Sequence, residues 1–154
     1  MRCIRAVKTE EWNDAMALVW RVFLKFEADV YSKEGVENFH RFITDDLLYK
    51  MFKMGEYLVF GCFEEDNPIG IISVRNKNHI SLLFVDEAFQ KQGVASALMK
   101  HLCDHLVTVN GETYVTVHSS PYAVGFYHKL GFTDTDKVQR SSGIIYTPMR
   151  FSLQ

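Results

Sequence analysis

The chain has 154 residues, with 17 Lys and Arg against 19 Asp and Glu, for a net charge of −2 at pH 7. Hydrophobic residues make up 47% and charged residues 23%, which excludes a disordered chain and suits one domain, residues 1–154, with one core. The near-neutral balance, without a run of like charges, excludes the broad basic footprint of a nucleic-acid binder.

In chain order, the opening MRCIRAVKTEEW has no apolar stretch of the signal-peptide kind, and no segment reaches the roughly 18 apolar residues of a membrane span. A cytoplasmic protein without a membrane partner is expected. Cys3, Cys62 and Cys103 are odd in number and widely spaced, which reads as free thiols. Cys3 to Val7 is a short strand. Thr9 is the expected N-cap of a long helix, with Glu10 and Glu11 in its first turn and Trp12, Ala15, Met16, Val19, Val22, Phe23 and Phe26 along one face. A loop around Asp29 to Ser32 leads to a short helix carrying Val36, Phe39 and Ile43. Thr44 with Asp45 and Asp46 restarts helix to about Lys53, and Gly55 ends it.

From Tyr57 the period changes to that of a strand. YLVFGCF, IGIISV and HISLLFV, separated by turns at Glu65 to Pro68 and Asn76 to Asn78, form an antiparallel meander. A helix to about Val107, a turn at Asn110-Gly111, a strand YVTVHS and a short helix PYAVGFYHKL ending at Gly131 follow. The segment IIYTPMRFSL supplies C-terminal strands, and Pro148 places the last one at an edge or a bulge. The coarse order β-α-α-β-β-β-α-β-α-β-β implies a mixed sheet with helices on both faces and a parallel crossover into the fifth strand.

The stretch FVDEAFQKQGVASALMK, Phe84 to Lys100, joins a strand to a helix through a turn containing Gly93. The first amides of a helix lack partners and carry the positive end of its dipole, so such a junction can hold an anion on the N–H groups of Val94, Ala95 and Ser96. A glycine there lets the backbone approach a ligand. Neither GxxxxGK followed by Ser or Thr nor GxGxxG is present, which argues against a Walker-type kinase and a dinucleotide enzyme.

Gln90-Lys91-Gln92-Gly93-Val94-Ala95 resembles the Q/R-x-x-G-x-G/A pyrophosphate loop of the GNAT superfamily of acyl-CoA-dependent N-acetyltransferases. Leu83-Phe84-Val85 resembles the strand that pairs with the pantetheine arm in that family. The stretch from Ser120 to Phe132 is similar to the family's NxxAxxxYxKxGF signature. Gln90 stands where arginine is frequent, Ala95 where glycine is, Glu87 where proline is and Ser120 where asparagine is.

The resemblance covers essentially the whole chain. It implies an α/β (α+β) fold with a mixed, mostly antiparallel sheet of six to seven strands, and acetyl-CoA as cosubstrate without a metal. Leu83, Phe84, Val85, Gln90 to Ser96 and Ser120 would hold the cosubstrate, and Tyr127 would be the general acid. His79 falls where some members carry a base acting through water. Counted by period two, it shares a face with Ser81, Leu83 and Val85, though the residue also reads as an exposed strand start. His118 faces either the gap between the fourth and fifth strands or a strand neighbour. His101 and His105 have the spacing of a metal pair, but HLCDH lacks the glutamate of HExxH, and the border of a helix stripe accounts for them. The loop with Glu27, Asp29 and Tyr31 would receive an amine acceptor of a small molecule or peptide. A non-catalytic acyl-CoA-binding or regulatory module of the same fold is the alternative reading, and exposed sheet edges allow a monomer or a homodimer.

Overall fold

The computed structural model describes residues 1–154. The chain opens with β1 (Arg2–Ala6) and α1 (Trp12–Phe26), then α2 (Lys33–Ile43) and α3 (Asp46–Lys53). The meander β2 (Leu58–Glu64), β3 (Asn67–Arg75) and β4 (His79–Val85) precedes α4 (Val94–Thr108), β5 (Tyr114–Ser119) and α5 (Val124–Leu130). The chain finishes with β6 (Thr133–Asp134), β7 (Gln139–Ser141) and β8 (Ile144–Ser152). The strands run β1-β2-β3-β4-β5-β8-β6 across the sheet, with β7 also on β8. The mixed sheet expected from the sequence is present. It has eight strands because β6 and β7, of two and three residues, are too short to show a period.

Sequence reading expected one core, whereas the apolar side chains form two layers, one on each face of the sheet. Trp12, Val19 and Phe23 of α1 pack on Ile71, Leu82 and Phe84. Leu98, Leu102 and Leu106 of α4 pack on Ile72, Val85, Val115 and Met149. A sheet covered on both sides must bury both of its faces.

The helix starts differ from expectation in detail. Thr9 lies in a 3-10 turn capped at Lys8, and the Glu11 carboxylate accepts from the Lys8 amide at 2.8 Å while pairing with Arg5 at 2.8 Å. The return contact from Glu11 to the Lys8 amide fixes the start of the turn at Lys8, one residue before Thr9. Asp45 rather than Thr44 caps α3, accepting from Leu47 N at 2.9 Å. Ser32 caps α2, accepting from Gly35 N at 3.2 Å.

Two irregularities shape the middle of the sheet. Ser73 pairs with Leu82 but Val74 pairs with Ile80, so Ser81 is an extra residue, a β-bulge in β4. A bulge reverses the alternation beyond it. Ile80 joins the α4 layer and Leu82 the α1 layer, which puts His79 and Ser81 on the α1 side, opposite Leu83 and Val85. The period-two count that placed all four on one face fails here. Ser81 instead closes a triangle of hydroxyls, 2.6 Å from Tyr57 and 2.7 Å from Ser73, which are themselves 2.6 Å apart.

Pro148 is the second irregularity. It lies in β8, between β5 and β6, rather than at an edge. Its carbonyl accepts from Thr135 N at 2.9 Å, just past the end of β6 and before β7 begins. Its missing donor therefore faces the break between those short strands, where no ladder bond is lost. The three cysteines are free thiols, Cys62 buried and Cys3 exposed.

Candidate active site

β4 and β5 are the parallel pair, and their ladder is two residues long: His79 opposite Thr116 and Ile80 opposite Val117. Beyond it the strands part, and a cavity of about 460 Å³ opens between them. Residues 79–84 of β4, Val117 to Ser120, Glu27 and Tyr31 after α1, Phe39 and Phe42 of α2, and Tyr127 of α5 line it. Parting strands leave backbone donors and acceptors of Leu83 to Val85 without a neighbour on that side, a place an extended ligand can pair with.

The turn after β4 leads from this gap to α4. The Asp86 carboxylate accepts from Ala88 N at 3.0 Å, and Gln90 Nε2 donates to Val85 O at 3.0 Å. Gln92 bonds Arg2. Lys91 and Gly93 both have positive φ, 62° and 81°. The first bond into the helix is Ala97 N to Gly93 O at 3.0 Å, so the amides of Val94, Ala95 and Ser96 have no intrahelical partner. No side chain caps this terminus, and its first turn carries no acid. A Cβ at Gly93 would meet nothing within 4 Å; φ and the open space in front of it are what the glycine provides. The Ser120 hydroxyl is buried and makes no well-formed hydrogen bond, with the Glu27 carboxylate as a polar neighbour at the edge of reach, and a polar group lying in the gap would satisfy it.

Glu27 is the carboxylate of the cavity. It forms no salt bridge, and burial pushes its carboxyl up to about 7, with the nearby Ser120 hydroxyl offsetting part of the rise. Its charge in turn adds to burial in raising the phenols of Tyr31, Tyr122 and Tyr127. Tyr127, 4% exposed, is packed edge-on against Phe126 and Phe132 and lines the cavity. Its phenol stays protonated at any physiological pH. Tyr31 stacks on Phe23, while Asp29 is exposed and outside the cavity wall.

His79 Nδ1 lies 2.8 Å from Thr116 Oγ1, and its ring meets His118 edge-on at 4.6 Å. Burial, then His118 and Arg75, pull it down to about 4, so it is a neutral imidazole at pH 7. His118 faces the gap, stacked on Tyr146 at 4.2 Å. His101 and His105 sit edge-on to Phe60 at 4.6 and 5.2 Å, and no three His, Cys, Asp or Glu side chains gather as metal ligands.

Several lining groups escape sequence reading. Arg75, at the end of β3 opposite His79, holds its guanidinium 5.6 Å from the Phe42 ring centre; its place beside the turn at Asn76 to Asn78 was the signal available. Tyr146 and the roof had none. That roof joins α2 to the turn between β7 and β8: Ser32 N donates to Gly143 O at 3.2 Å and Asn38 Nδ2 to Ser142 O at 3.2 Å. A Cβ on Gly35 would overlap the Gly143 carbonyl, so only glycine permits this contact.

Residues 27–153 match the family described as the acetyltransferase (GNAT) domain. The chain is 31% identical over 134 residues to the peptidyl-lysine N-acetyltransferase YjaB of Salmonella typhimurium, covering 87% of this chain and 85% of that one. It is 36% identical over 88 residues to YafP of Escherichia coli, an uncharacterized N-acetyltransferase; that match covers 57% of this chain and about half, 53%, of the relative. In fold it is similar to the PaiA N-acetyltransferase of Thermoplasma acidophilum in complex with coenzyme A, with a TM-score of 0.81, 17% identity and 99% of each chain covered.

Proposed function

The chain belongs to the GNAT acetyltransferase family, and on that premise we propose that residues 1–154 act as one domain that moves an acetyl group from acetyl-CoA directly to a primary amine. The observation that carries this is the uncapped, acid-free start of α4 placed at the mouth of the gap between β4 and β5. The amides of Val94, Ala95 and Ser96 would take the pyrophosphate, with Gln90, Lys91, Gln92 and Gly93 forming the turn around it. Leu83, Phe84 and Val85 would pair through their backbone with the pantetheine arm, and Ser120 would bond it. Acetyl-CoA supplies the activated acyl group.

An amine with a pKa of about 10.4 is only about one part in a thousand neutral at physiological pH, an obstacle of roughly 4 kcal/mol. Two groups on the α1 side of the gap bear on that proton. His79, held near 4, is a weak base; Glu27, near 7, binds a proton more strongly by roughly 4 kcal/mol. Glu27 therefore receives the cationic amine and takes its proton, and His79, fixed by Thr116, orients the acceptor or a water beside it. This moves the base from His79, its position by family resemblance, to Glu27. Tyr127, protonated and facing the cavity, hands a proton to the departing thiolate. Tyr31 forms the wall next to Glu27, and Asp29, on the outer surface, stays out of the reaction.

The Salmonella relative is named for peptidyl-lysine, an amine of the class proposed. No helix is long and apolar enough to cross a membrane, and three free thiols favour the cytoplasm. The test is calorimetric titration with acetyl-CoA followed by thiol release with a panel of amines, for the wild type and Tyr127→Phe. Binding with amine-dependent release, lost in the variant while binding is kept, is expected. Binding without release from any amine would leave a coenzyme-binding module, and absence of binding would remove the reading altogether.

A further inference from the structure

We propose that the acceptor is a short peptide with free ends, about three or four residues long, whose N-terminal amine is received by Glu27 and whose C-terminal carboxylate is held by Arg75 at the other end of the cavity. The inference rests on the transferase reading above and adds the acceptor class to it.

Charge is the first argument. Among the side chains lining the cavity, Glu27 is the only carboxylate and Arg75 the only Lys or Arg. None of the protein's seven salt bridges includes Arg75. Its guanidinium lies 5.6 Å from the Phe42 ring centre, which steadies the planar fork and leaves its N–H donors for a carboxylate. The cavity groups that act on it from the adjoining strands are His79 and His118, and neither carries a negative charge to compete for it.

Separation is the second argument. Arg75 pairs with His79, and His79 pairs with Thr116, which puts Arg75 level with Thr116 across the sheet. Val115 and Val117 belong to the α4 layer, so Thr116, His118 and Ser120 follow one another along the α1 side. Glu27 lies beside Ser120, four residues beyond Thr116. At a strand's rise of about 3.3 Å per residue, the two charged ends are about 13 Å apart along β5. Electrostatics agrees: after burial, Arg75 helps to pull down His79 and His118, whereas the rise at Glu27 comes from burial, offset by Ser120, with no part for Arg75. A single amino acid is far too short to touch both ends, while an extended peptide of three or four residues covers about 10 to 14 Å. The amides in the middle of such a chain meet polar groups of the wall, Ser81 and His118 among them, which a hydrocarbon spacer would leave unpaired.

The experiment measures kcat/KM by thiol release for alanine and for its peptides of two to six residues, each as the free acid and as the C-terminal amide, alongside a lysine peptide with blocked ends. Wild type, Arg75→Met and Arg75→Lys are compared. Dividing the acid-to-amide ratio of the wild type by that of Arg75→Met cancels any difference in the amines' own ionisation. This quotient is expected to be near one for alanine and the dipeptide. It should rise to roughly ten- to hundredfold at three or four residues, mostly through KM, as a charge-assisted contact gives, and fall again in longer chains. Arg75→Lys keeps part of the preference. Arg75 is exposed, so neither change endangers folding.

A quotient near one at every length, a maximum at any length other than three or four residues, or a blocked lysine peptide that outperforms every free-ended one would overturn the proposal. In each case acetyl transfer itself would stand. Acetyl-CoA binding with no acceptor of the panel consumed would also sink the acceptor class, and loss of that binding too would sink the transferase reading with it.

Discussion

Replacing Glu27 by glutamine keeps the side chain's size and removes its titration. In the unfolded chain this carboxyl has a value near 4.5, and in the folded protein burial raises it to about 7. The folded state therefore holds a proton that the unfolded chain releases as pH rises past 4.5, and stability falls from there to about pH 7 before levelling. The gap corresponds to up to about 3 kcal/mol at alkaline pH. Urea unfolding of wild type and Glu27→Gln, without ligand, reads this directly. The two proteins should be similarly stable near pH 4, and the variant should gain steadily to about 3 kcal/mol more than wild type near pH 8.5. Kinetics supply the second half. For the wild type, kcat/KM should rise with pH along a limb near 7 that is separate from the amine's own ionisation, and the variant should lose that limb together with about a hundredfold or more in rate. A stability difference that is the same at every pH would refute the desolvation of this carboxylate, and a limb near 7 that survives in the glutamine variant would refute its role as base.

Tyr127→Phe removes the proton donor but not the ring contacts with Phe126 and Phe132, so kcat should drop by about a hundredfold with acetyl-CoA affinity kept; full activity would rule out its acid role. His79→Ala should lower the rate by the same factor at about pH 6 and about pH 9, because a group titrating near 4 is neutral throughout. A deficit that grows toward acid would return the base assignment to His79. Gly93→Ala meets open space but must hold φ near 81°, which costs about 1 kcal/mol in the free protein. Wild type should gain roughly 2.7 kcal/mol at a hundredfold excess of acetyl-CoA over its dissociation constant. The variant should gain clearly less in the same thermal scan, and an unchanged gain would mean that the turn does not touch the ligand.

What could be read from the residues alone was local. The strand, turn and helix around Gly93 follow from an alternating run, a glycine and an amphipathic stripe, each visible within about a dozen residues. Helices on both faces follow from the element order, with a crossover helix between two parallel strands, but the division of the apolar residues into two layers does not. The bulge at Ser81 did not show, because its cause is the pairing of Ser81 with Tyr57 and Ser73, 24 and 8 residues away. With it went the side-chain direction of His79. Glu27 stood out as an acid in a variable loop, but its raised carboxyl comes from burial beside Ser120 at the far end of β5. Asp29, equally acidic and two residues on, faces solvent. A 3-10 turn, Ala28–Val30, separates their fates, and turns of that length leave no periodic trace.

The hydroxyl triangle of Tyr57, Ser73 and Ser81 has a bearing on what can sit beside the bulge. Three hydroxyls closed into a ring spend all three protons on one another, whichever way round the ring they point. Each oxygen then has a lone pair left and no hydrogen to offer. Tyr57 and Ser73 are sealed from solvent, so Ser81 alone shows that remainder to the cavity. At the point where the strands diverge the protein thus presents a one-way contact. An N–H or a water proton is welcome there and a carbonyl oxygen is not, which sorts the two ends of any amide-containing guest before a single charged residue is involved.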